Sequence, residues 1–291
     1  MKEMNISGKT IICGLIGDPV EHTMSPAMHN AAFRELGLDY AYLAFHVRKD
    51  DVGKAIEGMR ALNLRGLNVT IPHKVTVIPF LDELDPLAEK IGAVNTIVNN
   101  GGALRGYNTD ASGFLQALLE KGIEPEGKSI VVIGAGGASR AITFILADKH
   151  ARLVILNRAQ ELDWAKDLAS RIGQTFGQKV DALELNRENL AKVLDKADVL
   201  VNATSVGMSP NVEAIPLDAD LLRQGLTVYD VVYNPIKTRL LREAEAVKAK
   251  TIAGLDMLVW QGALAFEMWT GSGAPVGLMK QEAAKLLEQA H

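Results

Sequence analysis

A strand, a glycine turn and a helix start follow one another without interruption in Ser129-Ile-Val-Val-Ile133, Gly134-Ala135-Gly136 and Gly137-Ala138-Ser139-Arg140. Gly134 permits the tight turn out of the strand, and Gly136 lets the backbone approach a pyrophosphate. The helix that begins next presents free N–H groups and the positive end of its dipole to that anion. Ser139 stands at the third position of the usual G-x-G-x-x-G spacing and is small enough for close helix–strand packing. The segment therefore predicts a dinucleotide-binding α/β domain. The strand that follows ends at Leu156-Asn157-Arg158, where Asn157 stands 23 residues beyond Gly134. A site selective for NAD places Asp or Glu here to bind the ribose 2′-hydroxyl. Arginine instead offers a guanidinium fork for a 2′-phosphate and a plane to stack on adenine, so Arg158 points to NADP.

Around this motif apolar runs alternate with amphipathic stretches, the pattern of an α/β protein with mostly parallel strands. Ahead of the polar linker at 122–128, strands are expected over 11–16, 40–47 and 66–70. A pair over 95–99 and 103–107 flanks the hairpin signal Asn100-Gly101-Gly102. Helices are expected from Ser25-Pro26 to about Leu36, over 51–62, from His73 onward and over 110–121. Beyond the linker, strands at 129–133, 152–156, 199–202, 227–232 and 251–253 alternate with helices, and helices alone close the chain over 256–269 and 275–289.

Composition narrows the function. With 31 basic against 35 acidic side chains the formal charge is −4, which argues against a nucleic-acid binder and gives no attraction to anionic lipid. Apolar runs such as Thr10–Ile16 fall far short of the ~20 residues that span a bilayer, and Met1–Ser7 is too polar for the apolar core of a secretory signal. The single cysteine, Cys13, can make neither an intramolecular disulfide nor a cysteine-rich zinc site. A cytoplasmic chain, monomer or homodimer, is expected, with a small molecule as partner rather than nucleic acid or membrane.

Three segments ahead of the linker concentrate polar groups at strand ends. They are His22-Thr23-Met24-Ser25-Pro26, Asn68-Val-Thr70-Ile-Pro-His-Lys74 and Gly92-Ala-Val-Asn95-Thr96, with Gly106-Tyr-Asn-Thr-Asp110 close behind. Singly each has an ordinary structural use: Ser25 as a helix cap, Asn95 and Asp110 as turn or cap residues, Lys74 as a solvated helix residue. Together with Gly134–Ala138 and Asn202-Ala-Thr-Ser-Val-Gly-Met208 they resemble the shikimate dehydrogenase family. Its pattern S-x-S-P, N-V-T-x-P-x-K, G-A-V-N-T, G-x-N-T-D, G-A-G-G-A and N-A-T-x-x-G-M occurs here in that order. Tyr229–Pro235 and Gly254–Gln261 extend the resemblance over nearly the whole chain.

The resemblance implies two α/β domains with a cleft between them that closes on the ligands. The substrate domain would cover 1–110, completed by C-terminal helices over 255–291, and a Rossmann-type NADP domain would cover 111–254. The implied reaction is the reversible NADPH-dependent reduction of 3-dehydroshikimate to shikimate, a step toward chorismate and the aromatic amino acids. Lys74 and Asp110 correspond to the catalytic pair. Hydride delivered to a ketone leaves a developing alkoxide that needs a proton and a positive charge; an ammonium supplies both, and a carboxylate orients it. Thr23, Ser25, Thr70, Asn95, Tyr233 and Gln261 correspond to groups that bind the substrate's carboxylate and hydroxyls, and hydroxyls and amides read hydroxyls in both directions. On the cofactor side, Gly134, Ala135, Gly136, Gly137 and Ala138 would line the pyrophosphate, with Asn157 and Arg158 at the adenosine end. Val231 and Gly254 stand where backbone groups of the family approach the nicotinamide.

Two positions depart from the pattern. Thr23 replaces the first serine of S-x-S, keeping the hydroxyl and adding a methyl. After Arg158 the family often continues with threonine and a second arginine, whereas this chain has Ala159-Gln-Glu161-Leu162. Glu161 brings negative charge near the phosphate site, so NAD use stays open. One alternative is therefore a quinate/shikimate dehydrogenase using both cofactors. Another, of a different class, is a non-catalytic nucleotide-dependent sensor, against which the retention of Lys74 and Asp110 argues. No metal is expected, because His22, His29 and His73 recur at no ligand spacing. Cys13, Met24, Met28 and the Met and Trp residues of 257–269 read as core, Leu81–Asp85 as an exposed helix end, and Arg239 and Arg242 as a solvated helical face.

Overall fold

A computed structural model describes residues 6–289, which fall into two compact units. The first comprises the residues up to Ser112 together with those from Val259 on; the second runs from Gly113 to Leu258. The divisions lie inside two helices, α4 (Thr109–Glu120) and α9 (Gly254–Thr270).

The first unit holds β1 (Ile11–Gly17), β2 (Tyr40–His46), β3 (Gly66–Val69), β4 (Glu83–Leu84), β5 (Thr96–Asn100) and β6 (Ala103–Tyr107) in one sheet ordered β2-β1-β3-β5-β6-β4. Only β5 runs against its neighbours. Its turn into β6 is Gly101-Gly102, with φ of 64° and 99°, as a two-residue hairpin turn requires. The strand begins at Thr96 rather than Asn95, whose side chain is committed elsewhere. α1 (Ser25–Leu36), α2 (Val52–Ala61) and α3 (Pro86–Ile91) connect the strands, and α10 (Val276–Gln289) packs on α1. One apolar cluster includes Ile16, Ile56, Met59, Leu67 and Ile97. A second is aromatic: His29 lies 4.4–6.3 Å, centroid to centroid, from the rings of Tyr42, Trp269, Phe33 and Phe266. Cys13, Met24, Met28 and Trp269 are buried.

Some expectations fail here for local reasons. No helix starts at His73; residues 71–77 run through successive turns into a 3-10 turn at Ile78–Phe80. Val75, Thr76, Val77 and Ile78 are all β-branched and crowd a helical backbone, and Pro79 has no N–H to continue one. The Leu81–Asp85 stretch contains β4 rather than a helix end. There Asp82 Oδ2 accepts from the Leu104 N–H at 2.6 Å and from Arg60 at 2.8 Å. Only Asp85 serves a helix, capping α3 through the Leu87 N–H. Ser25 is the first residue of α1 rather than its cap, which is Met24.

The second unit is a wholly parallel sheet of β7 (Ser129–Ile133), β8 (Arg152–Asn157), β9 (Asp181–Glu184), β10 (Val199–Asn202), β11 (Thr227–Asp230) and β12 (Lys250–Ile252). Their order is β12-β11-β10-β7-β8-β9, so the winding reverses between β7 and β10. Ligands of open α/β sheets bind at such a reversal, beyond the carboxyl ends of the strands. α5 (Gly137–Asp148), α6 (Leu162–Phe176), α7 (Arg187–Leu194) and α8 (Arg239–Ala246) belong to this unit, whose core includes Val131, Ile133, Leu156, Leu200 and Val228. Arg239 and Arg242 lie on α8, and Arg242 reaches the Glu213 carboxylate at 2.9 Å.

Candidate active site

In the first unit a buried polar chain backs the residues expected to bind substrate. Gly17 lets the β1–α1 loop press on the end of β3: a Cβ there would lie 2.4 Å from Thr70 Cγ2. That loop carries Thr23 and leads into Ser25 at the start of α1, and their hydroxyl oxygens are 3.3 Å apart. The Tyr42 hydroxyl donates to Asn68 Oδ1 at 2.7 Å, and Asn68 Nδ2 donates to Thr96 Oγ1 at 3.0 Å and to the Asn95 carbonyl at 3.3 Å. Asn95 Oδ1 accepts from the Thr109 N–H at 2.6 Å and from the hydroxyls of Thr96 and Thr109 at 3.1 Å. Asn68, Asn95, Thr96 and Thr109 are all buried, and a satisfied network of this kind rigidifies what it holds. Burial pushes the Tyr42 phenol well above its ordinary range.

Lys74 and Asp110 meet in the same unit, Nζ to Oδ2 at 2.6 Å, with side chains 32% and 17% exposed. The turn that replaced the expected helix fixes the lysine. His73 N–H donates to the Thr70 carbonyl at 2.9 Å, and the Lys74 carbonyl accepts from Val94 N–H at 2.8 Å. His73 Nε2 donates to the Val47 carbonyl at 2.6 Å. Asp110 lies in the first turn of α4, where a carboxylate is favoured by the helix dipole. The pair is a charge-assisted hydrogen bond with an ammonium able to give up a proton. His22, by contrast, is exposed, and His29 is fully buried.

In the second unit the glycine turn is built as its spacing predicts. Gly134 has φ of 105°, and a Cβ on it would lie 2.9 Å from Thr204 Cγ2. Its N–H donates to the Leu156 carbonyl at 2.7 Å. Ser139 does more than fit: its hydroxyl donates to the Gly134 carbonyl at 2.6 Å and ties the turn to α5. Gly136 caps α5 without a side-chain bond, and a Cβ on Gly136 or Gly137 would meet nothing within 4 Å among the described residues. Open space in front of a twelve-residue helix's N-terminus fits a pyrophosphate.

At the end of β8, Asn157 Nδ2 donates to the Glu161 carbonyl at 2.9 Å. Arg158 is engaged by Glu161, Nε to Oε2 at 2.7 Å and Nη2 to Oε1 at 2.5 Å. The guanidinium holds the Glu161 carboxyl below its usual range, and the carboxylate raises Arg158 in turn. At the ends of β10 and β11, Asn202 Oδ1 accepts from the Thr204 hydroxyl at 2.7 Å, and Asn202 Nδ2 donates to Asp230 Oδ1 at 2.9 Å. Asp230 also accepts from the Thr238 hydroxyl at 2.6 Å and the Val232 N–H at 3.1 Å. Burial pushes its carboxyl up to about 6 against these bonds. Val231 and Gly254 come together, since a Cβ on Gly254 would lie 2.2 Å from the Val231 carbonyl oxygen.

Of the residues singled out in the sequence, Thr23, Ser25, Thr70, Lys74, Asn95, Asp110 and Gln261 lie in the first unit. Gly134–Ala138, Asn157, Arg158, Val231, Tyr233 and Gly254 lie in the second. Gln261 is a buried residue of α9, and Tyr233 is 39% exposed. Tyr42, Asn68, Thr109 and Asp230 carry the networks behind these groups and were not singled out. For Tyr42, Asn68 and Asp230 the signal was available: polar residues at positions of short apolar strands, where burial demands a partner.

Sequence models of known families match the chain in three stretches. They are the shikimate dehydrogenase substrate binding domain over residues 15–97, shikimate / quinate 5-dehydrogenase over 117–213, and the shikimate 5′-dehydrogenase C-terminal domain over 254–283. The shikimate dehydrogenase (NADP(+)) of Methanopyrus kandleri is 50% identical over 281 residues, covering 96% of both chains. Among solved structures, a shikimate dehydrogenase in complex with NADP+ superposes with a TM-score of 0.90 at 44% identity over 97% of both chains. Shikimate 5-dehydrogenase from Listeria monocytogenes, in complex with shikimate and NAD, gives 0.92 at 42% identity over 97% of this chain and 98% of its own.

Proposed function

The chain belongs to the shikimate dehydrogenase family, and from that premise we propose that it reduces 3-dehydroshikimate reversibly to shikimate with NADPH, using Lys74 and Asp110 as its catalytic pair. The observation that carries the reading is the 2.6 Å contact between Lys74 Nζ and Asp110 Oδ2, largely shielded from water. NADPH supplies the hydride. Lys74 places its ammonium charge beside the ketone oxygen and gives it the proton that completes the hydroxyl; in the reverse direction the lysine amine takes that proton back. Asp110 holds the ammonium in place and balances its charge in both directions.

Thr23 at the end of the β1–α1 loop and Ser25 at the first position of α1 bind the substrate carboxylate through their neighbouring hydroxyls. Asn95 spends its carbonyl oxygen on Thr96 and Thr109, which leaves its amide nitrogen to donate to a substrate hydroxyl. Thr70, Tyr233 and Gln261 complete the set. On this reading residues 1–110 with 255–291 serve the substrate and 111–254 the cofactor. The open space before α5 supports Gly134, Ala135, Gly136, Gly137 and Ala138 as the pyrophosphate cradle, with Asn157 and Arg158 toward the adenosine and Val231 and Gly254 toward the nicotinamide. No described helix is long and apolar enough to cross a membrane. The reading places the reaction in the cytoplasm, in a monomer or homodimer.

Initial rates with purified protein test it. Reduced nicotinamide should accumulate when shikimate and NADP+ are both present, and 3-dehydroshikimate should consume NADPH. Absence of any shikimate-dependent reduction of either NADP+ or NAD+ would overturn the reading.

A further inference from the structure

We propose that Glu161 sets the cofactor preference of this chain by occupying, as an internal carboxylate, the face of Arg158 that a 2′-phosphate requires. The inference rests on the dinucleotide reading of the second unit and adds to it a residue that discriminates between phosphorylated and unphosphorylated cofactors. Both oxygens of Glu161 meet two N–H groups of Arg158, at 2.7 and 2.5 Å. This is the two-pronged geometry by which a guanidinium also grips a phosphate, so ligand and side chain compete for one set of donors.

Glu161 is held in position for this. Its N–H donates to the Arg158 carbonyl at 2.9 Å, and its own carbonyl accepts from Asn157 Nδ2 at 2.9 Å. Residues Ala159–Glu161 form a 3-10 turn that closes the loop onto the end of β8. The glutamate side chain is 22% exposed while that of Arg158 is 67% exposed, so the carboxylate is the better anchored member of the pair. A 2′-phosphate has two ways to reach Arg158. It displaces the carboxylate, or it takes the remaining Nη1 edge with a like charge alongside. Either way the phosphorylated cofactor loses binding free energy to the contest. A ribose 2′-hydroxyl carries no charge and meets no such opposition, and a carboxylate can accept its hydrogen bond. Glu161 therefore penalises NADP and spares NAD, without changing which atoms react.

The test is Glu161→Gln, which keeps the shape and the backbone bonds of the loop and removes the charge. Calorimetry on the intact protein would compare adenosine 2′,5′-bisphosphate with 5′-AMP, a readout independent of turnover. E161Q should tighten the bisphosphate about tenfold, the size expected for removing one like charge from a water-exposed anion site, and leave 5′-AMP no tighter. The ratio of kcat/KM for NADP+ over NAD+ should rise in parallel. Arg158→Ala should cost more bisphosphate affinity in the E161Q background than in the parent, because only there is the guanidinium free. An unchanged bisphosphate-to-AMP ratio, an equal gain for both nucleotides, or an equal cost of R158A in both backgrounds overturns the proposal. If a folded protein binds neither nucleotide in any variant, the dinucleotide reading falls and the proposal with it; binding with an unaltered ratio sinks the proposal alone.

Discussion

On the proposed mechanism Lys74 and Asp110 divide one task unequally, and their variants should show it. Lys74→Met removes the proton donor and the positive charge together, so kcat should fall by about 10²–10⁴, while KM for shikimate and the affinity for nucleotide stay close to the parent's. Asp110→Asn keeps a hydrogen-bond acceptor beside Nζ and should cost less. Steady-state kinetics with both variants decide this, and near-normal turnover in K74M would remove lysine from the chemistry. Both residues were legible in the sequence because each closes a short motif of polar groups at a strand end. Tyr42 was not, and Asn68, though it heads the motif that Lys74 closes, gave no sign of its partner. They sit inside strands, where a polar residue is informative only once its neighbour is known, and the bond between them at 2.7 Å joins positions 26 residues apart. The same distance problem hid Asp230, whose partners come from β10 and from Thr238 at the head of α8. Glu161 was visible as a charge, but its two bonds to Arg158 depend on a loop conformation that spacing does not encode.

Among elements, the glycines separate two kinds of constraint. At Gly66 a Cβ would lie 1.9 Å from Trp269 Nε1, and that indole cannot yield without losing its 3.0 Å bond to the Ile97 carbonyl. Gly66→Ala should therefore lower stability by about 1–3 kcal/mol or more, read as a lower urea midpoint. Gly136 is the opposite case: its φ of −81° suits any residue, and no atom of the described residues lies within 4 Å of a Cβ built there. Gly136→Ala should leave the midpoint nearly unchanged and weaken dinucleotide binding, since the methyl enters space a pyrophosphate would take. Equal losses in both properties would argue against the cradle. Element type was legible wherever a run was long and periodic, as in β1, β7, α5 and α9. It failed at His73, where β-branched crowding and Pro79 outweigh an apparently helical pattern. The sequence did not announce β9 or α7, because β9 is an edge strand with a charged residue at each end and α7 buries only Leu190 and Leu194. The cap that starts α7, Asn186 accepting from the Asn189 N–H at 2.9 Å, was the usable signal.

For the whole molecule, the two units respond to acid in opposite senses through one buried group each. His29, with no hydrogen-bond partner on either ring nitrogen among the described residues, is pushed by burial down to about 3. Unfolded, it takes a proton below its ordinary ~6.5, so acid favours unfolding of the first unit by at most about 1.4 kcal/mol per pH unit between those values. Asp230 keeps its proton up to about 6 when folded, and an unfolded aspartate releases it near ~3.9. Its contribution to the second unit therefore grows as pH falls through 6 and levels off near ~4. Urea unfolding read separately on peptides of each unit, from pH 6.5 to about 4, should show His29→Phe flattening the acid loss of the first unit. Asp230→Asn should remove the acid gain of the second, and variants with parental slopes would refute both assignments. The division of the chain has a different consequence, in time. Residues from Val259 on belong with those up to Ser112, and α10 packs on α1. During synthesis, β1–β6 must wait for α9 and α10 to leave the ribosome, while the whole of the intervening unit has already emerged and can fold. On the proposed assignment, a newborn chain acquires its grip on the nucleotide before it finishes the half meant for the acid.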